Sequence, residues 1–340
     1  MTQHRLTHSW RVARAATAAL ALTAAALTVS GSSSVHAVPQ SAPGATAAVS
    51  GEPCLTKPSA QRVRAGSGLA GVDPNTVTLA QTEQSKARLD SRPRQRGLAA
   101  GRALRKTTVD VYVHVITTDA GKGGVSKRRI KKQIDVLNKA YAGKTSRSSK
   151  KTPFTFKLKT KNIDQVRSSA WHSWSNPEVD LTDEVQAKTA LHRGGRDDLN
   201  IYIAALDDGL LGYSSFPDDP TLALDGVVVL NESLPGGSAQ GYNKGDALTH
   251  EVGHWLGLYH TFQNGCAAPG DQVDDTPFQA DGVNIFSCSS KLDTCVGKGK
   301  DPVRNFMSYG DDTCLNRFSK GQVARMATMW RAYRAPGAGA

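Results

Sequence analysis

The sequence predicts one α/β (α+β) domain from about residue 107 onward. Its upper half holds a twisted mixed sheet, its lower half is rich in coil, and a cleft runs between them. Two patterns and a length carry this expectation. From residue 107 to about 256, β-branched runs of period two are interspersed with apolar residues at helical spacing. Between Cys266 and Thr313 the pattern dissolves into Gly, Asp and Pro, and four of the five cysteines fall in or beside that stretch. The region 107–340 spans about 230 residues, within the range that one hydrophobic core can serve.

Val109–Ile116 alternates and is β-branched, which predicts a strand. Ile130, Ile134, Leu137 and Tyr141 recur at helical spacing and predict an amphipathic helix over about 126–142. Phe154, Phe156 and Leu158 alternate in a second strand. A weaker helix is expected over about 178–191, then strands at Leu199–Ala205 and Gly226–Leu230. Gly212–Phe216 is a candidate exposed sheet edge for an extended peptide, although 207–219 also reads as an ordinary turn. A helix is expected from Asp246 to Leu256. The last helix starts at Ser319, which with Gln322 forms an S-x-x-Q capping box, and ends near Arg334.

The chemistry concentrates at residues 250–260. His250 and His254 are four apart, so they share one helix face about one turn apart and can reach the same metal ion. Glu251 stands beside the first of them, where a carboxylate can take a proton from a metal-activated water. Gly257 lets the chain leave the helix, and His260 returns as a third ligand. Three ligands leave zinc's fourth position open, which is the catalytic arrangement; a structural zinc normally closes its shell with a fourth ligand and has no use for Glu251. The spacing H-E-x-x-H-x-x-G-x-x-H is the long metzincin form of the zinc-peptidase motif.

The rest of the C-terminal half resembles one branch of that clan. The segments 210–217, 225–229, Tyr259–Phe262, 270–277, 293–295 and 305–314 occur in the order and spacing of the pappalysin-type (cytophagalysin) metzincins, most closely the bacterial ulilysin-type members. The resemblance implies a metzincin-type zincin with the zinc helix in the upper half and a disulfide-stapled lower half. It implies a zinc-dependent endopeptidase acting on protein or peptide substrates. Met307 takes the place of the Met-turn beneath the zinc, and Tyr309 that of a tyrosine that hydrogen-bonds the tetrahedral intermediate. Cys266, Cys288, Cys295 and Cys314 allow three pairings by sequence; the resemblance selects Cys266–Cys295 and Cys288–Cys314. Asp271, Asp275 and Thr276 fall in a stretch resembling a structural calcium loop, whose alternative is a metal-free acidic turn. Asp311 and Asp312 follow the Met-turn where the primed-side pocket wall is expected, and carboxylates there would favour a basic residue after the scissile bond. The alternative function is a secreted binding module that keeps the zinc scaffold without proteolysis, but binding alone does not require Glu251.

The N-terminal third reads differently. Arg5, Arg11 and Arg14 precede an uncharged run and a small-residue site at Val35–Ala37, the pattern of a secretion signal over 1–37. Residues 38–106 read as a poorly ordered leader or pro-segment, ahead of a catalytic domain at 107–340. The signal and leader hold 14 Lys/Arg against 4 Asp/Glu, and 107–340 holds 28 against 26, so the basic pI belongs mainly to segments expected to be removed. No nucleic-acid partner follows from it, and no membrane anchor is expected on the mature form; oligomeric state is not legible. Within the domain, 122–161 carries 14 Lys/Arg and one acid, Asp135, and reads as a solvated face ahead of a docking patch for acidic partners. Cys54 is left without a partner upstream of Arg92, Arg94, Arg96, Arg102 and Arg105. It is a candidate latency switch, since a thiolate can fill zinc's open position; a spare thiol is the alternative.

Overall fold

Five of the six strands make a single twisted sheet because their apolar residues have nowhere else to go. In β1 (Thr107–Thr117), Val109, Val111, Val113 and Val115 are all buried. This strand pairs in parallel with β2 (Phe154–Arg167) on one side and β4 (Leu199–Leu206) on the other. β6 (Val227–Leu230) continues the parallel sheet from β4, and β5 (Gly212–Ser214) closes it as an antiparallel edge. The order is therefore β2-β1-β4-β6-β5, with the short β3 (Ser173–Trp174) paired off the main path to β4. This is the expected mixed sheet.

The computed structural model describes residues 77–92, 104–174, 182–207, 209–219, 221–297 and 299–338. The secretion signal, Cys54, most of the leader and Arg94, Arg96 and Arg102 lie outside the described residues. All described residues belong to one compact unit, Cys54–Ala340.

Helix α2 (Lys127–Tyr141) starts at Ser126, whose side chain accepts from the Arg129 amide, and buries Ile130, Ile134 and Leu137 against the sheet. α3 (Thr182–Leu191) buries Ala187 in a second apolar cluster with Ile116, Trp174, Tyr202 and Val228. α4 (Asp246–Trp255) is buried along its whole length, between the sheet and the lower half. The lower half has few regular elements and is stapled by Cys266–Cys295 and Cys288–Cys314, the pairing the resemblance implied. The final helix α5 (Lys320–Met329) opens with both hydrogen bonds of the capping box in place, then widens into a π-helical turn at Trp330–Arg334.

Two expectations need correction. The leader is not without structure where it is described: α1 (Leu79–Ser91) is a helix with a Thr78–Gln81 capping box. It was missed because it has no apolar stripe; its buried residues are Thr82 and Ser85. It is held largely by polar contacts. Gln263 and Gln272 donate to the carbonyls of Val77 and Thr82, Arg88 pairs with Asp218, and Arg92 lies over the Tyr333 ring. Secondly, Gly212–Ser214 is the sheet edge but is buried, not exposed. A groove of about 870 Å³ runs beside it between α1 (Gln81, Arg88) and Ser214–Asp218.

Candidate active site

α4 begins without a capping side chain of its own, since Gly245 occupies the N-cap at φ 100°. The missing acceptor comes from beyond the Met-turn: Asp312 Oδ2 accepts from the amides of Lys244 (2.7 Å) and Gly245 (3.1 Å). A carboxylate there also complements the positive end of the helix, an effect of about 0.3–1 kcal/mol, or up to about 2 when partly buried. This corrects the placing of Asp312 in a specificity wall, because its charge is buried against the helix terminus. Asp311 accepts from the Thr313 amide and hydroxyl, and so caps its own turn.

His250 and His254 project from one face of α4, and Gly257, at φ 91°, turns the chain back so that His260 joins them. The three Nε2 atoms form a nearly equilateral triangle with sides of 3.0, 3.0 and 3.2 Å. Their orientation is set from behind. His250 Nδ1 lies 2.6 Å from the Phe306 carbonyl and His254 Nδ1 lies 2.7 Å from that of Leu258. Donation from Nδ1 puts the lone pair on Nε2, so the lone pairs converge on one point. Three converging lone pairs repel one another unless a cation sits between them. The triangle is close to the roughly 3.3 Å spacing implied by tetrahedral Zn–N bonds of about 2.0–2.1 Å, so the donor set fits zinc.

Met307 is fully buried beneath α4, where it faces Gly253; a Cβ at that position would lie 2.4 Å from its sulfur. The Met-turn is itself anchored to the last helix. Asn305 accepts from the Met307 amide, and Asn305 and Gln322 exchange two side-chain hydrogen bonds of 2.8 and 3.0 Å. The Tyr309 hydroxyl stands 3.3 Å from His260 Nε2, at the rim of the metal position. Phe262 lies flat on His260 with centroids 4.8 Å apart, and Phe216 meets His254 edge-on at 5.5 Å. These rings wall the site with apolar surface. Neither phenylalanine's role follows from the motif; only its place in the segments 210–217 and Tyr259–Phe262, which carry the family resemblance, marks it.

Glu251 is buried beside the first histidine, and β5 passes directly over it. An added Cβ at Gly212 would lie 2.9 Å from Glu251 Cγ and 2.7 Å from the Val228 carbonyl. Gly212→Ala is therefore expected to lower kcat at least about tenfold by displacing the strand or the carboxylate, with zinc content unchanged. Parental turnover in that variant would show that the close approach does not matter.

The proposed calcium residues divide. Asp271 is buried, its Oδ1 accepts from the Val273 amide, and Thr276 lies beside it. Burial pushes its carboxyl up to about 7, which the Val273 amide and the Arg325 charge only partly oppose. Asp275 instead caps α5, accepting from the Ser319 hydroxyl (2.6 Å) and the Gly321 amide (2.9 Å).

Comparison with known proteins agrees with this geometry. The Peptidase_M43 family model, described as pregnancy-associated plasma protein-A, matches residues 190–330. The extracellular metalloprotease of Arthroderma benhamiae is 40% identical over 236 residues, covering 67% of this chain and 74% of that one. The extracellular metalloprotease of Colletotrichum graminicola is 42% identical over 247 residues, covering 69% and 82%. Mature mirolysin of Tannerella forsythia, solved with a cleaved peptide, matches with TM-score 0.57 at 27% identity, covering 67% of this chain and 93% of that one. Promirolysin matches with TM-score 0.61 at 24% identity, covering 75% and 88%. These matches make the chain a zinc metalloendopeptidase. It belongs to the Peptidase_M43 family, the pappalysin-type metzincins.

Proposed function

We propose that the chain is a secreted endopeptidase in which His250, His254 and His260 hold one zinc ion and Glu251 is the general base. The observation that carries the ligand set is the Nε2 triangle, with the second nitrogens of His250 and His254 turned to backbone carbonyls. Zinc, when bound, supplies Lewis-acid polarisation of the scissile carbonyl and lowers the pKa of water at its open position. Glu251 takes the proton from the attacking water and returns it to the leaving amine. Tyr309 donates to the oxygen on which negative charge develops. β5 receives the extended substrate, which on this reading enters when the groove beside it is cleared. A basic preference after the scissile bond rests on Asp311 alone, since Asp312 is engaged at the zinc helix. The test is cleavage of a peptide library by the processed protein, with and without a zinc chelator. Chelator-sensitive cleavage before Arg or Lys is expected; chelator-resistant cleavage would refute the zinc mechanism, and apolar residues at that position would refute the charge preference.

Residues 1–37 act as the secretion signal, and 38–106 as the pro-segment. Support comes from relatives named extracellular metalloproteases and from the docking of α1 beside the Phe216–Asp218 and Tyr259–Gln263 segments that flank the histidines. Among the described residues no helix is long and apolar enough to cross a membrane. Cys54 is the candidate switch ligand of the precursor; a Cys54→Ala precursor that matures no faster than the parent would leave it without that role.

A structural calcium ion at Asp271 and Thr276 would relieve a buried carboxylate whose charge is otherwise poorly compensated. At one hundred times its dissociation constant, the ion would add about 2.7 kcal/mol, or about 5–10 °C in Tm for a domain of this size. Asp271→Asn should abolish the calcium response. A parent whose melting is indifferent to calcium would retire the site.

A further inference from the structure

The domain's charge is divided between two regions. Residues 122–161 hold 14 Lys/Arg and one acid, while the remainder of 107–340 holds 14 Lys/Arg against 25 Asp/Glu. The fold places Lys122 in the turn before α2 and gathers the other cations of the segment into three adjoining pieces: α2, the loop that follows it, and β2. Twelve of its 14 cations are exposed. Only Arg129, which donates to the Pro235, Asn231 and Leu234 carbonyls, and Lys159, paired with Asp110, are engaged with the body of the protein. Among the described residues none of the other twelve side chains has a carboxylate partner.

The arrangement is unfavourable for the isolated protein. Lys127 and Lys131, and likewise Arg128 and Lys132, are like charges at i,i+4, each pair destabilising by some tenths of a kcal/mol. They also crowd the positive end of α2, whose first turn contains no acid. A bound polyanion removes both penalties and releases its own counterions.

The choice of polyanion follows from what the face lacks. The exposed large apolar residues among the described ones are Leu79, Val185, Leu222, Phe278 and Val296, all elsewhere, so nothing on this face inserts into a bilayer. Its aromatics, Tyr141, Phe154 and Phe156, are buried and offer no platform for bases. What remains is recognition of repeated negative charge along a track running from α2 through Lys150 and Lys151 to Lys157 and Lys161.

We propose that this face docks a linear phosphate polymer outside the cell and holds the peptidase on it. β2 is the sheet edge opposite β5, four strand spacings or about 19 Å away. The strand over Glu251 therefore stays clear of the polymer. The binding does not depend on the chemistry at the histidines.

The probe is long-chain inorganic polyphosphate, with the processed protein, at physiological and raised salt. Binding is expected at physiological ionic strength and should weaken steeply as salt rises. The quadruple variant K127Q/R128Q/K131Q/K132Q should bind at least tenfold more weakly, with peptide turnover unchanged and Tm unchanged or slightly higher. A double variant outside the face, R196Q/K291Q, should bind like the parent; Arg196 lines the groove beside β5. The proposal is overturned if the quadruple variant binds like the parent, or if the double variant loses as much. Tighter binding to duplex DNA or anionic vesicles than to polyphosphate, at equal phosphate, would overturn it as well.

Discussion

Glu251→Gln is expected to leave zinc content at the parental level and to lower peptidase turnover by about 10²–10⁴-fold. The amide keeps the shape of the carboxylate, and Gly212 leaves space on the strand side for it. What is lost is the capacity to take a proton from water and hand it to the departing amine. The measurement pairs turnover of a fluorogenic peptide with zinc analysis of the same sample. Near-parental turnover would remove Glu251 from the base role, while loss of zinc would make it a positioning residue for the ligands. If turnover collapses and zinc stays, the secreted-binding alternative loses its basis.

The largest expected effect on stability lies behind the zinc helix. Arg334, in the π-helical turn, is fully buried and bidentate to Asp225, at 2.7 and 2.9 Å. It also donates to the Trp255 carbonyl at 2.7 Å and stacks over the Trp255 ring at 3.8 Å. Trp255 and Ser215 donate to the same carboxylate. The network joins the chain's C-terminal turn to the end of α4, to the start of β6 and to the loop after β5. Arg334→Met removes the cation and leaves Asp225 buried without its counter-charge, which typically costs about 3–5 kcal/mol. That is roughly 6–20 °C in Tm for a domain of this size.

The pH dependence separates lost charge pairing from lost packing. In the parent, burial pushes the Asp225 carboxyl up, but Arg334 and the hydrogen bonds outweigh it and hold the carboxyl below its ordinary value. The folded state therefore binds the proton less readily than the unfolded chain. The stabilisation is present above the ordinary carboxylate range and is lost as pH falls through the lower, folded value. In Arg334→Met only the Ser215 and Trp255 hydrogen bonds still oppose burial; the folded value is expected to rise above the unfolded one, and the sign reverses. The variant's deficit should then shrink as pH is lowered from 7 toward 4, and Asp225→Asn should recover part of it at pH 7. A variant deficit that is the same at both pH values would place the effect in packing.

The sequence by itself determined the features that depend on neighbours a few residues apart. The i,i+4 histidines, the adjacent glutamate and the glycine that ends the helix are local relations, and a helix of 3.6 residues per turn converts them into a metal site. The β-branched alternation of β1 and the capping box of α5 are likewise local, and both are present as expected. The disulfide pairing was legible only through resemblance, since loop spacing permits three arrangements.

The tertiary structure decided the rest, because the groups involved are far apart in the chain and carry no local pattern. Asp312 caps the zinc helix from 66 to 68 residues away, and nothing near it announces a vacant helix end. Asp275, expected at calcium, is turned to the start of α5. Helix α1 has the capping box but no apolar stripe, so periodicity cannot show it, and its hold on the domain is largely a set of polar contacts to segments far along the chain. Gly212 and Gly253 look like any glycine until the fold brings Glu251 and Met307 against them. Local spacing sets which atoms can share a helix face. Only long-range packing sets which carboxylates are left to bind a ligand and which are consumed in holding the scaffold.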